Sequence, residues 1–200
     1  YNLYRDANIP RVLETFRDFR IGSVRIWDDA IRTERHIEEI RRFNEAGVDV
    51  LYCFANAGVL PNSLHHLVVK DPTEWQDHIA YVVTNVLGKV CAYEILNEPN
   101  ARSGLGKNPD PEKYLDIDTE SNAWCIKVAS EAIRKYDSKA LIVGPTTCKT
   151  DLGWTLEVLR RGAAEYLDVI SEHPYFAMPE VQGYAKKVEM LIREGSSMKG

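Results

Sequence analysis

What most limits how this chain folds is its alternation of two periodicities. Short apolar runs rich in β-branched residues recur at Ser23–Trp27, Val48–Phe54, Val90–Leu96, Ala140–Gly144 and Leu167–Ser171. Each is mostly apolar, the pattern of parallel strands covered on both faces. Between them, apolar residues recur at helical spacing. Ile37, Ile40, Phe43 and Ala46 form one stripe, opened by Thr33 and closed by Gly47. Asp71-Pro72-Thr73-Glu74 reads as a cap, a first-turn proline and a capping-box glutamate. It starts a helix with the stripe Ile79, Val82, Val83, Val86 and Leu87, ending at Gly88. Ala123, Ile126, Ala129, Ile133 and Tyr136 mark a third helix. Val181, Tyr184, Val188 and Leu191 mark another, beginning near Pro179, and Val12, Leu13, Phe16 and Phe19 form a short helix before the first strand.

The order is therefore one helix followed by five strand–helix repeats. Parallel strands with right-handed helical crossovers give either a doubly wound open sheet or a (β/α)8 barrel. The turn after the first strand, Asp28-Asp29-Ala30, lacks the glycines of a nucleotide-binding sheet. Polar residues instead gather just past the strand ends, at Asp28-Asp29, Asn56, Asn97-Glu98-Pro99-Asn100, Thr146-Thr147 and His173-Pro174-Tyr175. Those positions build the active rim of a barrel. The predicted fold is α/β, a (β/α)8 TIM barrel, with residues 1–200 as one domain. A full barrel takes about 250 residues or more, whereas this chain has 200 and opens on a helix. The expectation is an incomplete barrel running from helix 1 to helix 6. Strands 1, 7 and 8 then lie outside it, supplied by further sequence or by another chain.

Charge narrows the partners. With 25 basic and 30 acidic side chains, the net charge is −5, which leaves no broad basic surface for nucleic acid. The apolar runs are too short for a membrane-spanning helix. Tyr1 to Asp6 lacks a signal peptide's apolar stretch, as a trimmed N-terminus also would. Cys53, Cys91, Cys125 and Cys148 form no CxxC pair and have no zinc-ligand spacing. They read as structural thiols, with Cys53 and Cys91 as small buried hydrophobes in strands, and they leave the compartment open.

The chemistry concentrates in Ala92-Tyr93-Glu94-Ile95-Leu96-Asn97-Glu98-Pro99-Asn100. An apolar strand delivers an Asn-Glu pair to the rim, and Pro99 ends it by removing a ladder donor. A carboxyl there loses part of its hydration, a condition under which general acids work near neutral pH. The adjacent amide supplies donors and an acceptor suited to a sugar hydroxyl. Strict alternation points Asn97 and Glu98 to opposite faces, so both reach one cleft only if regular pleating stops at this point.

These residues resemble the clan-A (β/α)8 retaining glycoside hydrolases, in which an Asn-Glu pair, often followed by Pro, closes the fourth barrel strand. Val24-Arg25-Ile26 looks like their second-strand segment, and Asp137 to Pro145 is similar to their fifth-strand run. Asp168-Val169-Ile170-Ser171-Glu172-His173-Pro174-Tyr175 resembles the sixth. The combination is most like the β-xylosidase/iduronidase family, with family-5 cellulase-like enzymes next. The resemblance implies an O-glycosyl hydrolase acting on a β-linked oligo- or polysaccharide by double displacement, with no cofactor or metal. It implies Glu98 as acid/base, Asn97 holding the 2-hydroxyl and Arg25 supporting the nucleophile. It also implies Tyr175 donating to the nucleophile, with His173 orienting Tyr175 or a substrate hydroxyl. In this clan the nucleophile is a seventh-strand glutamate, for which this sequence shows no segment, so the chain alone is expected to be inactive.

Among the remaining candidates, Trp27 and Tyr175 are favoured as sugar-stacking aromatics over Phe54, Trp154 and Phe176. Alternation turns Glu172 away from the cleft. His65-His66 follows the second strand's rim, whereas His36 and His78 read as surface or helix-packing residues, and Lys149 reads as a surface lysine. Two other readings stay open: a non-catalytic carbohydrate-binding relative, and a phosphate-handling barrel such as an aldolase or isomerase.

Overall fold

The structure, a computed structural model, describes residues 8–28, 32–55, 67–101, 114–175 and 183–199. Five parallel strands form one curled sheet: β1 (Ser23–Trp27), β2 (Asp49–Phe54), β4 (Ala92–Ile95), β6 (Leu141–Cys148) and β7 (Val169–His173), in the spatial order β1-β2-β4-β6-β7. Two short strands, β3 (Leu67–Val69) and β5 (Tyr114–Asp116), pair antiparallel as a separate ribbon. They come after β2 and after β4 in the chain, and the sequence pattern did not announce them. The helices are α1 (Ile9–Asp18), α2 (Thr33–Glu45), α3 (Thr73–Asn85), α4 (Thr119–Tyr136), α5 (Leu152–Arg160) and α6 (Tyr184–Met198). The result is a curled half-barrel with helices between its strands, an incomplete TIM-barrel-like fold. Asn56, His65, His66, Phe176, Pro179 and Val181 lie outside the described residues.

Alternation along the strands sorts side chains onto two faces. Val24, Ile26, Val50, Tyr52, Phe54, Tyr93, Ile95 and Ile142 are buried toward the helices. There they join Ile37, Ile40 and Phe43 of α2, Trp75, Ile79, Val82 and Val83 of α3, and Ile126, Ala129 and Ile133 of α4. Aromatic contacts tie this layer together, with Tyr52–Phe54 ring centroids 5.1 Å apart and Phe54–Tyr93 5.9 Å apart. Phe54 is therefore a core residue and not a rim aromatic. Four other positions also depart from the pattern. Helix α3 stops at Asn85, so Val86 is buried beyond its end while Leu87 is exposed, as are Phe19 and Tyr136. Cys91, just before β4, is exposed and donates to the Val50 carbonyl (3.1 Å).

The concave face carries Ser23, Arg25 and Trp27 on β1, in register with Asp49, Leu51 and Cys53 on β2; Leu51 and Cys53 in turn meet Ala92 and Glu94 on β4. With Tyr184, Val188 and Leu191 of α6, several of these residues line a cavity of about 780 Å³. Two carboxylates within this framework have opposite surroundings. Glu94 is 1% exposed and faces inward, where Arg25 Nε and Nη2 grip it at 2.5 and 3.1 Å. Burial acts to lower the Arg25 pKa, but the hydrogen bond to Glu94, together with smaller contributions from Cys53, the Glu94 charge and Tyr175, outweighs that, and the net shift is upward. Glu172 faces the other way, as alternation requires. Its carboxylate accepts from Thr155 Oγ1 (2.8 Å) and from Thr147 Oγ1. Burial pushes the Glu172 pKa up, only partly offset by those hydroxyls.

Two outcomes follow. Glu94→Ala strands a half-buried guanidinium and is expected to cost about 3 kcal/mol in urea unfolding, whereas the double variant Arg25→Met/Glu94→Leu regains most of that loss. For Glu172, a raised folded pKa means its contribution is present below the ordinary value of 4.5 and is lost as pH rises through the folded value. Glu172→Gln should therefore match or exceed the parent's Tm at pH 7 and flatten its pH dependence above 4.5, as read by calorimetry.

Candidate active site

The site assembles where β1, β4, β6 and β7 end on one rim. β4 leaves extended geometry at Leu96, whose N–H still donates to the Phe54 carbonyl (2.9 Å). Leu96 and Glu98 both take left-handed backbone angles, with φ of 65° and 48°. For residues with a Cβ this costs about 1–3 kcal/mol each and persists only where surrounding contacts fix it. These two residues flank Asn97, so strict alternation ends here. The chain then turns tightly, with Ala101 N–H donating to the Glu98 carbonyl (2.9 Å) and Pro99 in the second turn position that proline favours.

Asn97 and Glu98 consequently reach two joined parts of the rim. Asn97 Oδ1 accepts from Arg25 Nη2 (2.9 Å), the same nitrogen that bonds Glu94. Arg25 Nη2 also reaches Cys53 Sγ at 3.3 Å. Burial, followed by the Glu94 charge, drives the Cys53 pKa well up, so the sulfur is a neutral thiol. The Arg25 guanidinium lies 5.7 Å from the Trp27 ring centroid, and Trp27 is 43% exposed at the end of β1. One arginine thus joins the strand-4 amide, the buried acid and the rim aromatic.

Glu98 Oε1 lies 2.7 Å from His173 Nδ1, and each side chain is about one-fifth exposed. Tyr175 OH lies 3.3 Å from the same nitrogen, with the two rings edge to face. The carboxyl and the phenol therefore converge on one ring nitrogen of His173, and the phenol also hydrogen-bonds Glu98. Partial burial, then the Glu98 charge, raises the Tyr175 pKa, which keeps the phenol protonated as a donor. Cys148, level with His173 in the β6–β7 register, also has its pKa raised, first by burial and then by Glu98.

All six sequence candidates (Glu98, Asn97, Arg25, His173, Tyr175 and Trp27) lie on this rim, in two groups held by Arg25 and His173. Two residues of this arrangement were not foreseen. Glu94 is the only charge within an otherwise apolar strand, and that oddity was the available signal. Cys148 follows the strand end that the sequence placed at Gly144, because β6 runs on to Cys148. Asn100 was counted on the rim with its motif but given no role of its own. Asp28, counted as a rim residue, instead turns into the helices. It is 5% exposed, lies 2.6 Å from His78 Nε2 and 3.8 Å from His36 Nδ1, and gives both histidines a buried role. Lys149 N–H donates to the His173 carbonyl (2.9 Å), and Trp154 is half-buried against the core.

No protein-family model matches the chain, and no curated protein matches its sequence. Solved structures do match it in fold. An endo-β-1,4-xylanase described as a psychrophilic glycoside hydrolase of family 10 superposes with a TM-score of 0.64 at 13% identity, covering 98% of this chain and 70% of that one. The endo-β-1,4-mannanase from Thermotoga petrophila gives 0.62 at 16% identity, covering 99% and 57%. GH5_18 from Streptomyces cattleya, in complex with GlcNAc, gives 0.53 at 15% identity, and this chain spans only 40% of its length. At these identities the likeness is one of fold: the half-barrel described above has the architecture of glycoside hydrolase barrels.

Proposed function

We propose that this chain carries the acid/base half of a retaining O-glycosyl hydrolase that acts on a β-linked saccharide. The observation that supports this most is the Glu98–His173 contact of 2.7 Å at the rim, beside an Asn97 whose oxygen Arg25 already holds. Glu98 protonates the departing glycosidic oxygen and then takes a proton from the water that releases the glycosyl intermediate. Asn97, with its oxygen committed to Arg25, offers its Nδ2 protons to the 2-hydroxyl, a contact that strengthens as positive charge grows at the anomeric carbon. His173 fixes the Glu98 carboxyl and Tyr175, and Tyr175 donates to the nucleophile. Trp27 and the Tyr175 ring present apolar faces to the sugar. Arg25 holds the charge balance below them.

The nucleophile in this reading is a carboxylate outside this sequence, about 5–5.5 Å from Glu98 in the assembled enzyme. The fold neighbours include an endo-xylanase and a mannanase, and one holds GlcNAc. That supports a saccharide ligand and leaves the sugar to be found by assay. The β-xylosidase/iduronidase pattern makes aryl β-xylosides the first choice.

Calorimetric titration with isofagomine tests the site. Binding is expected, and Glu98→Gln should weaken it about 10- to 100-fold, the worth of a hydrogen bond to a charged partner. Binding untouched by Glu98→Gln would indicate a carbohydrate-binding relative, and preference for a sugar phosphate over the imino-sugar would indicate an aldolase or isomerase. In a separate assay, aryl β-xyloside, β-mannoside and β-glucoside are expected to show no turnover with this polypeptide alone. Robust turnover abolished by Glu98→Gln would overturn the absent-nucleophile part of the reading.

A further inference from the structure

β4 stops pairing with β6 at Glu94–Val143, whereas β6 continues to Cys148 along β7. Beyond Val143, the edge of β6 that faced β4 has lost its strand partner. Asn100 takes that place. Cys148 N–H donates to Asn100 Oδ1 at 2.8 Å, and Asn100 Nδ2 donates to the Cys148 carbonyl at 3.0 Å. A primary amide carries the same donor and acceptor as a peptide group, so this side chain reproduces the two-bond pairing of one strand residue. Asn100 Nδ2 also approaches Asp151 Oδ2 at 3.4 Å, and Asp151 Oδ1 caps α5 through Trp154 N–H.

We propose that Asn100 is a positioning residue for Glu98, acting as a one-residue strand that pins the Glu98 turn to β6. The inference rests on the glycosidase reading for its functional meaning, though not for its geometry. A closed circuit of contacts carries it. The Glu98 carbonyl accepts from Ala101 N–H across the turn that contains Asn100, and Asn100 grips the Cys148 backbone. Cys148 is level with His173 in the β6–β7 ladder, and His173 Nδ1 returns to Glu98 Oε1. Every link but the last is backbone or amide, so the carboxyl meets the imidazole only when the turn is pinned. The left-handed Glu98 backbone makes that pin necessary, since an unpinned turn relaxes to ordinary angles and swings the side chain away.

The test uses the whole chain and two readouts. A His173 ring proton shared with Glu98 gives a downfield imidazole resonance in the proton NMR spectrum, assigned by its loss in His173→Gln. Asn100→Ala is expected to abolish that resonance and weaken isofagomine about tenfold, with an unchanged far-ultraviolet spectrum. Asn100→Asp combined with Asp151→Asn keeps the Cys148 N–H acceptor, removes the like charge and retains a side-chain cap on α5. It should restore the resonance at a shifted position and give intermediate affinity. A folded Asn100→Ala whose resonance is unmoved overturns the proposal. If that variant fails to fold, an unmoved resonance in the double variant does so, and absence of the resonance from the parent does too. A parent that shows the resonance but binds no isofagomine sinks the glycosidase reading, while Asn100 is still scored by the proton.

Discussion

The rim depends on a guanidinium that spans two strands of the sheet to reach a third. Arg25 on β1 passes over β2 to grip Glu94 on β4, with Cys53 of the intervening strand against the same nitrogen. A buried pair of this kind returns little net stability, because desolvating both ions offsets most of their attraction. Its value here is geometric. The planar fork has donors left after binding a carboxylate, and one of them sets Asn97. A lysine has no such fork and could satisfy Glu94 or Asn97 but not both in fixed directions. The concave face therefore carries one interior charge pair that both fills space and aims the amide beside the proposed acid.

Around that pair, the strand-4 terminus solves a problem inherent in a pleated strand. Neighbouring residues on a strand face opposite ways, yet Asn97 and Glu98 serve one rim. The chain reconciles them by leaving the β region at Leu96 and again at Glu98. Neither residue is glycine, so both conformations carry a steric cost, and the surrounding contacts hold them in place. Those contacts are the Leu96 N–H bond to Phe54, the turn closed by Ala101, the Asn100 clamp and the Glu98–His173 contact. Strain here is local, and it sits at the reacting end.

Much of this is legible in the sequence. The helix and strand order followed from periodicity, and β1 spans the run Ser23–Trp27 as read. Five of the six candidate residues came from motif and position at strand ends, and Arg25 came from the family resemblance alone. What escaped reading depends on register and on contacts distant in sequence. Glu94 is separated from Arg25 by 69 positions, and the Asp28–His78 contact spans 50. Neither pairing has a local signature. The β3–β5 ribbon was missed because three-residue strands carry too little period to detect. Cys91 was misplaced because it precedes the first paired residue of β4, so an apolar neighbourhood in sequence did not make it an interior position.

The remaining dependence lies in the β6–β7 ladder. Val143 pairs with Val169, but Thr146 pairs with Ser171, so β6 advances three residues while β7 advances two. The additional residue falls where Pro145 withholds an N–H from the ladder, the setting in which a bulge forms. A one-residue offset exchanges the faces of everything beyond it. Without it, Thr147 would stand level with His173; with it, Cys148 does, and Thr147 pairs with Glu172 instead. The same shift thus sends the Glu172 carboxylate to the Thr147 and Thr155 hydroxyls on the helix side. It also sets the Cys148 backbone where Asn100 can hold it, level with the histidine that meets Glu98. Two carboxylates with different tasks are separated by one inserted residue in a strand that carries neither of them.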